Sequence, residues 1–257
     1  MRGLFQSRAG QGSPLVILHG LLGSSDNFRS FQKRLQQDFD VVLVDLRNHG
    51  RSFHAEGMSY DEMAEDVENL CREEGIDCPW LLGHSMGGKV AMKIALRGEL
   101  DMEGLIVADM APKAYDGPHR ELLKVLSQLD LDFLTDRAAV DAALAKDVSD
   151  VATRQLILKN LQVKDEGGLA WKPNVNALYR GYDDLNGWDG EGRYDGPSCF
   201  IYGGRSTYLM EEDRPGIREQ FPKAEFVSIP EAGHWLHAER PNDFVRAVVS
   251  FMTGREG

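Results

Sequence analysis

The chain has 257 residues, 42% of them hydrophobic and 27% charged, an ordinary globular composition whose length suits one large domain or a domain with an inserted lid. A chain this long buries roughly 75% of its unfolded surface, so it builds a core without disulfide staples. Its 29 basic against 41 acidic residues give a net charge of -12, which argues against nucleic acid or an anionic membrane surface as partner, because both are bound through Lys and Arg.

Taken in order, short apolar runs alternate with stretches of helical period, the pattern of a largely parallel sheet with helices on its faces. A strand is predicted at Leu15 to Leu18, and Phe28, Phe31 and Leu35 mark the helix after it. A second strand at Val41 to Asp45 leads to a helix carrying Met63, Val67 and Leu70, opened by the capping box of Ser59 and Glu62. The strand Trp80 to Leu82 runs into a helix from Ser85 to Arg97 that stops at Gly98. Strands follow at Leu105 to Ala108, Ser198 to Tyr202 and Phe226 to Ile229, and a last helix starts near Pro241 and buries Phe244, Val248 and Phe251. All six strand candidates are nearly wholly apolar, as strands buried on both faces should be.

One interval breaks the alternation. The stretch between Asp109 and Ser198 far exceeds a usual connection of about 4 to 6 residues, and within it Leu122, Leu126 and Leu129 share a helical face, as do Ile157, Leu158 and Leu161, and Val175, Leu178, Tyr179 and Tyr182. The expected organisation is a sheet domain of residues 1–112 and 196–257, with residues 113–195 inserted as a helical cap. Cys71, Cys78 and Cys199 are odd in number and lack paired zinc spacings, which predicts free thiols in a reducing compartment. No apolar run approaches the roughly 20 residues that span a bilayer, and the opening MRGLFQSRAGQGSP has no apolar leader core. A cytoplasmic setting without membrane insertion is expected.

The strongest motif is Gly83-His84-Ser85-Met86-Gly87, a GxSxG that directly follows a strand and directly precedes a helix. In that context the serine occupies a strained turn that lifts its hydroxyl out of the sheet, and the glycines give the chain room to turn so sharply. Ser85 then stands at a helix N-terminus, whose free N–H groups favour developing negative charge. The turn His19-Gly20-Leu21-Leu22-Gly23 follows the first buried strand, where such folds supply one oxyanion donor. The backbone N–H groups of Leu21 and Met86 are the expected pair.

A serine hydroxyl needs a general base, normally a histidine. Among the seven histidines, His234 follows the strand Phe226 to Ile229 and precedes the last helix, the place of the base in this chain order; His237 is its nearest competitor. Neither has further ligands at metal spacing, so no metal and no cofactor is expected. The orienting carboxylate usually follows the strand Ser198 to Tyr202, but there the turn reads Gly203-Gly204-Arg205-Ser206-Thr207. A serine cannot carry the charge that stabilises an imidazolium. Asp109, at the carboxyl end of the preceding strand, preserves the order serine, acid, histidine and stands where open α/β sheets build their sites. Asp213 is the reserve. Asp45-Leu46-Arg47-Asn48-His49-Gly50-Arg51-Ser52 reads as a hydrogen-bonded loop bracing the carboxyl edge of the sheet rather than as a second site.

HGLLGS, DLRNHGRS, GHSMGGK, ADMAP, GGRS and GHWLHAE, in this order and across essentially the whole chain, resemble the α/β-hydrolase superfamily, and within it the YbfF-type esterases. That resemblance implies an α/β-hydrolase fold, Ser85, Asp109 and His234 as the triad, and Ser206 as a supporting residue near the histidine. It also implies hydrolysis of short to medium acyl esters, with acyl-CoA thioesters as a second substrate class, so the expected partner is a small-molecule ester or thioester. The same triad serves carbon–carbon bond hydrolysis and perhydrolysis, and a non-catalytic ligand receptor on this scaffold is the reading from outside enzymology. Of the cap aromatics Tyr115, Phe133, Trp171, Tyr179, Tyr182 and Trp188, some are expected to line the cleft above Ser85. Lys113, Arg120 and Lys124 stand near the start of the cap, as a solvated helix face or as partners of a charged leaving group.

Overall fold

The computed structural model describes residues 3–117 and 119–254; Met1 and Arg2, the first two residues of the opening stretch, lie outside the described residues. The strands are β1 (Gln6–Ala9), β2 (Ser13–Leu18), β3 (Phe39–Val44), β4 (Trp80–His84), β5 (Gly104–Ala108), β6 (Leu161–Val163), β7 (Leu169–Trp171), β8 (Ser198–Gly203) and β9 (Ala224–Ile229). Seven of them form one sheet in the order β1-β3-β2-β4-β5-β8-β9, parallel throughout except for β1, which runs antiparallel to β3 at one edge. The six strands expected from the sequence are the six parallel ones. β1 escaped prediction because its sequence, Gln-Ser-Arg-Ala, is polar and half exposed at the edge, so no buried apolar run betrays it.

The helices are α1 (Arg29–Leu35), α2 (Tyr60–Glu73), α3 (Met86–Arg97), α4 (Arg120–Gln128), α5 (Arg137–Leu144), α6 (Val151–Leu158), α7 (Val175–Arg180), α8 (Tyr182–Asn186), α9 (Arg214–Gln220), α10 (Leu236–Glu239) and α11 (Pro241–Thr253). Local signals set their ends. Ser59 accepts the Glu62 N–H and Glu62 returns the bond to the Ser59 N–H, the reciprocal cap that starts α2. Gly98, at φ 64°, ends α3 in the left-handed conformation. One face of the sheet packs on α2 and α3 through Val16, Val42, Leu81, Leu105, Met63 and Val90; the other packs on α1 and α11 through Ile17, Leu43, Leu82, Phe31, Phe244 and Val248, all of them buried.

Between β5 and β8 the chain leaves the sheet and builds a separate apolar cluster centred on Leu126, Val140, Leu144, Ile157 and Leu158. This segment is not purely helical. β6 and β7 form a small antiparallel ladder with Leu161 opposite Trp171, so Leu161 belongs to a strand rather than to the helical face of Ile157 and Leu158. Asn160 explains the break: its side chain donates to the Leu22 carbonyl at 2.8 Å, and its own carbonyl accepts the Lys172 N–H at 2.7 Å, which turns the chain into the ladder. Val175 and Leu178 share α7 as expected, but Tyr182 opens a new helix after Gly181, which packs against Met58. The segment is tied to the sheet domain by Asn174, whose backbone N–H and side-chain amide both donate to Asn48.

Candidate active site

The loops that leave the carboxyl ends of β2, β4, β5, β8 and β9 converge on one spot. Leu22, Ser85 and Asp109 all have positive φ there, 57°, 55° and 52°, a concentration of left-handed backbone on non-glycine residues that marks a functional region. Ser85, at φ 55° and ψ −120°, links the end of β4 to the first residue of α3. Its neighbours must be glycine: a Cβ on Gly83 would stand 2.1 Å from the Gly87 carbonyl oxygen, and one on Gly87 would stand 2.4 Å from that of Leu18. The turn is therefore clamped between β4, α3 and the end of β2.

Hydrogen bonds lace the remaining loops to this turn. The Ser85 N–H donates to the Ala108 carbonyl at 3.1 Å, the Asp109 N–H to Ile201 at 2.8 Å, and the Arg205 N–H to Ala232 at 2.9 Å. His84, fully buried and held well below the usual histidine range by desolvation, donates from Nε2 to the His234 carbonyl at 2.8 Å. The strand that carries the serine thus also anchors the loop that carries His234.

Three side chains meet in line. His234 Nε2 lies 3.0 Å from Ser85 Oγ, and His234 Nδ1 lies 2.7 Å from Asp109 Oδ2. The carboxylate only accepts, so the ring proton sits on Nδ1, and the Nε2 lone pair faces the serine hydroxyl. Asp109 is wholly buried, and its charge is held by further donors: the Gly203 N–H reaches Oδ1 at 3.0 Å, and the Ser206 hydroxyl donates to Oδ2. Ser206 accepts the Tyr208 N–H at 3.2 Å in turn. The ring of Tyr208 stacks on His234 at 3.8 Å and an interplanar angle of 19°, while its hydroxyl lies 3.2 Å from His119 Nε2.

The competing residues are placed elsewhere. Asp213 forms an ion pair with Lys113 at 2.7 Å and does not meet His234. His237 stacks on Phe28 at 4.3 Å and is pushed down to about 4 by burial. His49 is pushed down to about 3 by burial; its Nδ1 donates to the Arg47 carbonyl and its Nε2 accepts the Leu22 N–H at 3.2 Å. In the same loop Asp45 accepts the Ser25 and Arg51 N–H groups at 2.6 and 2.9 Å. These bonds fix the turn from Gly20 to Gly23, itself closed by a 2.9 Å bond from the Gly23 N–H to the Gly20 carbonyl. Leu21, in that turn, and Met86, whose N–H has no partner inside its helix, both line the space beside Ser85.

Ser85 opens on two compartments. A small cavity of about 40 Å³ runs back along α3 between Met86, Lys89, Tyr115 and Tyr182. A cleft of about 580 Å³, largely apolar, extends the other way under α4 and α6 past Leu22, Leu122, Val125 and Ile157. Of the other aromatics, Phe133 is 84% exposed, Tyr179 and Trp188 pack on the main core, and Trp171 packs inside the cluster between β5 and β8. Arg120 pairs with Asp183 and Lys124 with Glu121, so these cations and Lys113 already have acidic partners. Among the described residues no group of three or more His, Cys, Asp or Glu side chains is placed to hold a metal ion, and no described helix is long and apolar enough to cross a membrane. Tyr208 and His84 were missed in the sequence because neither belongs to a triad pattern; only the fold brings Tyr208 over the imidazole.

Residues 13–241 match the family described as the alpha/beta hydrolase fold. The chain is 33% identical over 241 residues to esterase YbfF of Escherichia coli, covering 93% of each protein. It is 36% identical over 252 residues to the sn-1-specific diacylglycerol lipase ABHD11 of Danio rerio, covering 95% of this chain and 79% of that one. Among solved structures, a marine microorganism esterase superposes with a TM-score of 0.93 at 36% identity, over 98% of this chain and all (100%) of that one.

Proposed function

The chain belongs to the α/β-hydrolase fold family and is a carboxylic ester hydrolase; from that premise we propose that Ser85, His234 and Asp109 are its catalytic triad, acting on esters of short to medium acyl chains, CoA thioesters among them. The observation that carries the assignment is the in-line relay, Oγ to Nε2 at 3.0 Å and Nδ1 to Oδ2 at 2.7 Å. Its tautomer leaves His234 the acceptor that the serine proton needs.

Ser85 Oγ attacks the acyl carbon while Nε2 takes its proton, and the imidazolium so formed is stabilised by the buried Asp109 carboxylate. The tetrahedral oxyanion is received by the N–H groups of Leu21 and Met86, the latter at the positive end of α3. His234 returns the proton to the leaving alcohol or thiol, and the acyl-enzyme is hydrolysed by a water activated in the same way. Ser206 and the Gly203 N–H hold the carboxylate so that Oδ2 stays aimed at Nδ1. Residues 113–195 act as the lid of the site: they supply Tyr115, His119 and Tyr182 around Ser85 and keep water from the acyl-enzyme. The unpaired thiols of Cys71, Cys78 and Cys199 suit a cytoplasmic setting.

The test is turnover of p-nitrophenyl esters and CoA thioesters across a chain-length series, with covalent labelling by a fluorophosphonate. Wild-type protein is expected to turn over and to be labelled at Ser85, and Ser85→Ala to do neither. Full turnover by Ser85→Ala would falsify the assignment.

A further inference from the structure

Lys89 lies four residues beyond Ser85 on α3, one helical turn away on the same face. Because side chains on a helix lean toward its N-terminus, its stem runs back toward the serine. It is among the largest fully buried side chains, 1% exposed, and it lines the small cavity with Ser85. Two of its three donors are used: Nζ reaches the Gly187 carbonyl at 2.6 Å and that of Asn186 at 3.1 Å, at the end of α8. The rings of Tyr115 and Tyr60 stand 4.9 and 5.6 Å from the same nitrogen.

A buried cation is ordinarily matched by a buried anion. Among the described residues Lys89 makes no ion pair. The nearby Asp189 is 3.3 Å from Lys93 instead and acts on Lys89 only at longer range. Desolvation accordingly pulls the Lys89 ammonium down to about 7. The two other charged side chains of α3, further along the helix, each have a counter-charge: Lys93 pairs with Asp61 and Arg97 with Glu68. Of the three, Lys89 alone faces the space where a group bound to Ser85 would sit. That space, about 40 Å³, holds about three water-sized groups, the three atoms of a carboxylate at the end of a short acyl chain.

Resting on the triad assignment above, we propose that the small cavity is an acyl subsite for half-esters or half-thioesters of short dicarboxylic acids, with the distal carboxylate bound by the third N–H of Lys89. The substrate then supplies the anion that the described residues do not. Tyr182, whose hydroxyl accepts the His119 N–H at 2.9 Å and lies on the same wall, retains its own proton to offer the carboxylate.

The experiment compares kcat/KM for monomethyl succinate with that for methyl 4-methylpentanoate, its neutral isostere, in the wild type, Lys89→Met and Lys89→Arg, with monomethyl malonate and glutarate to bracket the length. The wild type is expected to prefer the half-acid at least tenfold. Lys89→Met is expected to lower the ratio of the two constants at least tenfold, and Lys89→Arg to restore part of it. The ratio is internal to each protein, so a general loss of activity cancels. A wild-type ratio at or below one overturns the proposal even if Lys89→Met fails to fold, and so does a ratio that the substitution leaves unchanged, which would leave Lys89 as a clamp on α8. Turnover of the neutral ester without preference overturns this subsite alone, whereas absence of any Ser85-dependent turnover overturns the triad assignment with it.

Discussion

Replacing Asp109 by asparagine is the sharpest probe of the relay, because the structure dictates how a carboxamide must sit. The carboxylate receives three donors: the Gly203 N–H on Oδ1, and the His234 Nδ1–H and Ser206 hydroxyl on Oδ2. A carboxamide has one oxygen. If that oxygen faces His234, the amide NH2 meets the Gly203 N–H donor to donor, an unsatisfied buried pair costing about 1–3 kcal/mol. The main chain cannot turn away, but the Ser206 hydroxyl can rotate to accept. The oxygen therefore stays with Gly203 and the NH2 faces His234, which must then accept through Nδ1 and carry its proton on Nε2. Ser85 loses its base. The serine-protease precedent for this wrong tautomer is a fall of about 10⁴ in turnover, or about 5 kcal/mol of barrier. Asparagine tolerates the left-handed φ of 52° at least as well as aspartate, so the melting temperature should move by only a few degrees while kcat for p-nitrophenyl butyrate and the rate of fluorophosphonate labelling collapse. Turnover within tenfold of wild type would refute the tautomer argument and return the acid to another residue.

Three further outcomes follow from the same geometry. Ser206→Ala removes a hydrogen bond to a buried charge, worth about 1.5–3 kcal/mol, and is expected to lower kcat roughly tenfold to a hundredfold with KM little changed; an unaltered kcat would mean that the hydroxyl only holds the Tyr208 N–H. Gly87→Ala would drive a Cβ against the Leu18 and His19 carbonyl oxygens at 2.4 and 2.6 Å, both main chain, and is expected to lower the unfolding free energy by about 3 kcal/mol or more, read as a fall in the urea midpoint. His237 is neutral in the fold down to about pH 4, against an ordinary value of 6.5, so as pH falls below 6.5 the unfolded chain takes up a proton that the folded chain refuses. Its stabilising contribution is complete above that value and declines toward pH 4, by about 2 kcal/mol between pH 7 and 5. His237→Phe, which keeps the stack on Phe28, is expected to flatten the urea-unfolding free energy over that interval by a similar amount, and an unchanged slope would refute the burial argument.

Much of the framework is legible in the chain because its signals are local. Six parallel strands announce themselves as apolar runs, and the caps at Ser59 and Gly98 mark helix ends through bonds made within a few residues. GxSxG between a strand and a helix implies a strained serine whatever the rest of the fold. The edge strand β1, polar and half exposed, carries no such run, and the β6–β7 ladder depends on Asn160 reaching Leu22, a contact 138 residues away in sequence.

Sequence alone determined which residue types were available at the ends of the strands: a serine in a glycine-framed turn, a histidine after the last strand, an aspartate after β5, and serine rather than aspartate after β8. Only the tertiary structure decided which of them touch. Asp109 and His234 are 125 residues apart in sequence and Ser85 and His234 are 149 apart, so their contact depends on strand order and on the loop bonds that His84, Ser206 and Ala108 make. Tyr208 over the imidazole, and Lys89 buried without an ion pair among the described residues, belong to the same class. Burial and counter-charge are set by what the fold packs around a side chain, and no local pattern encodes them.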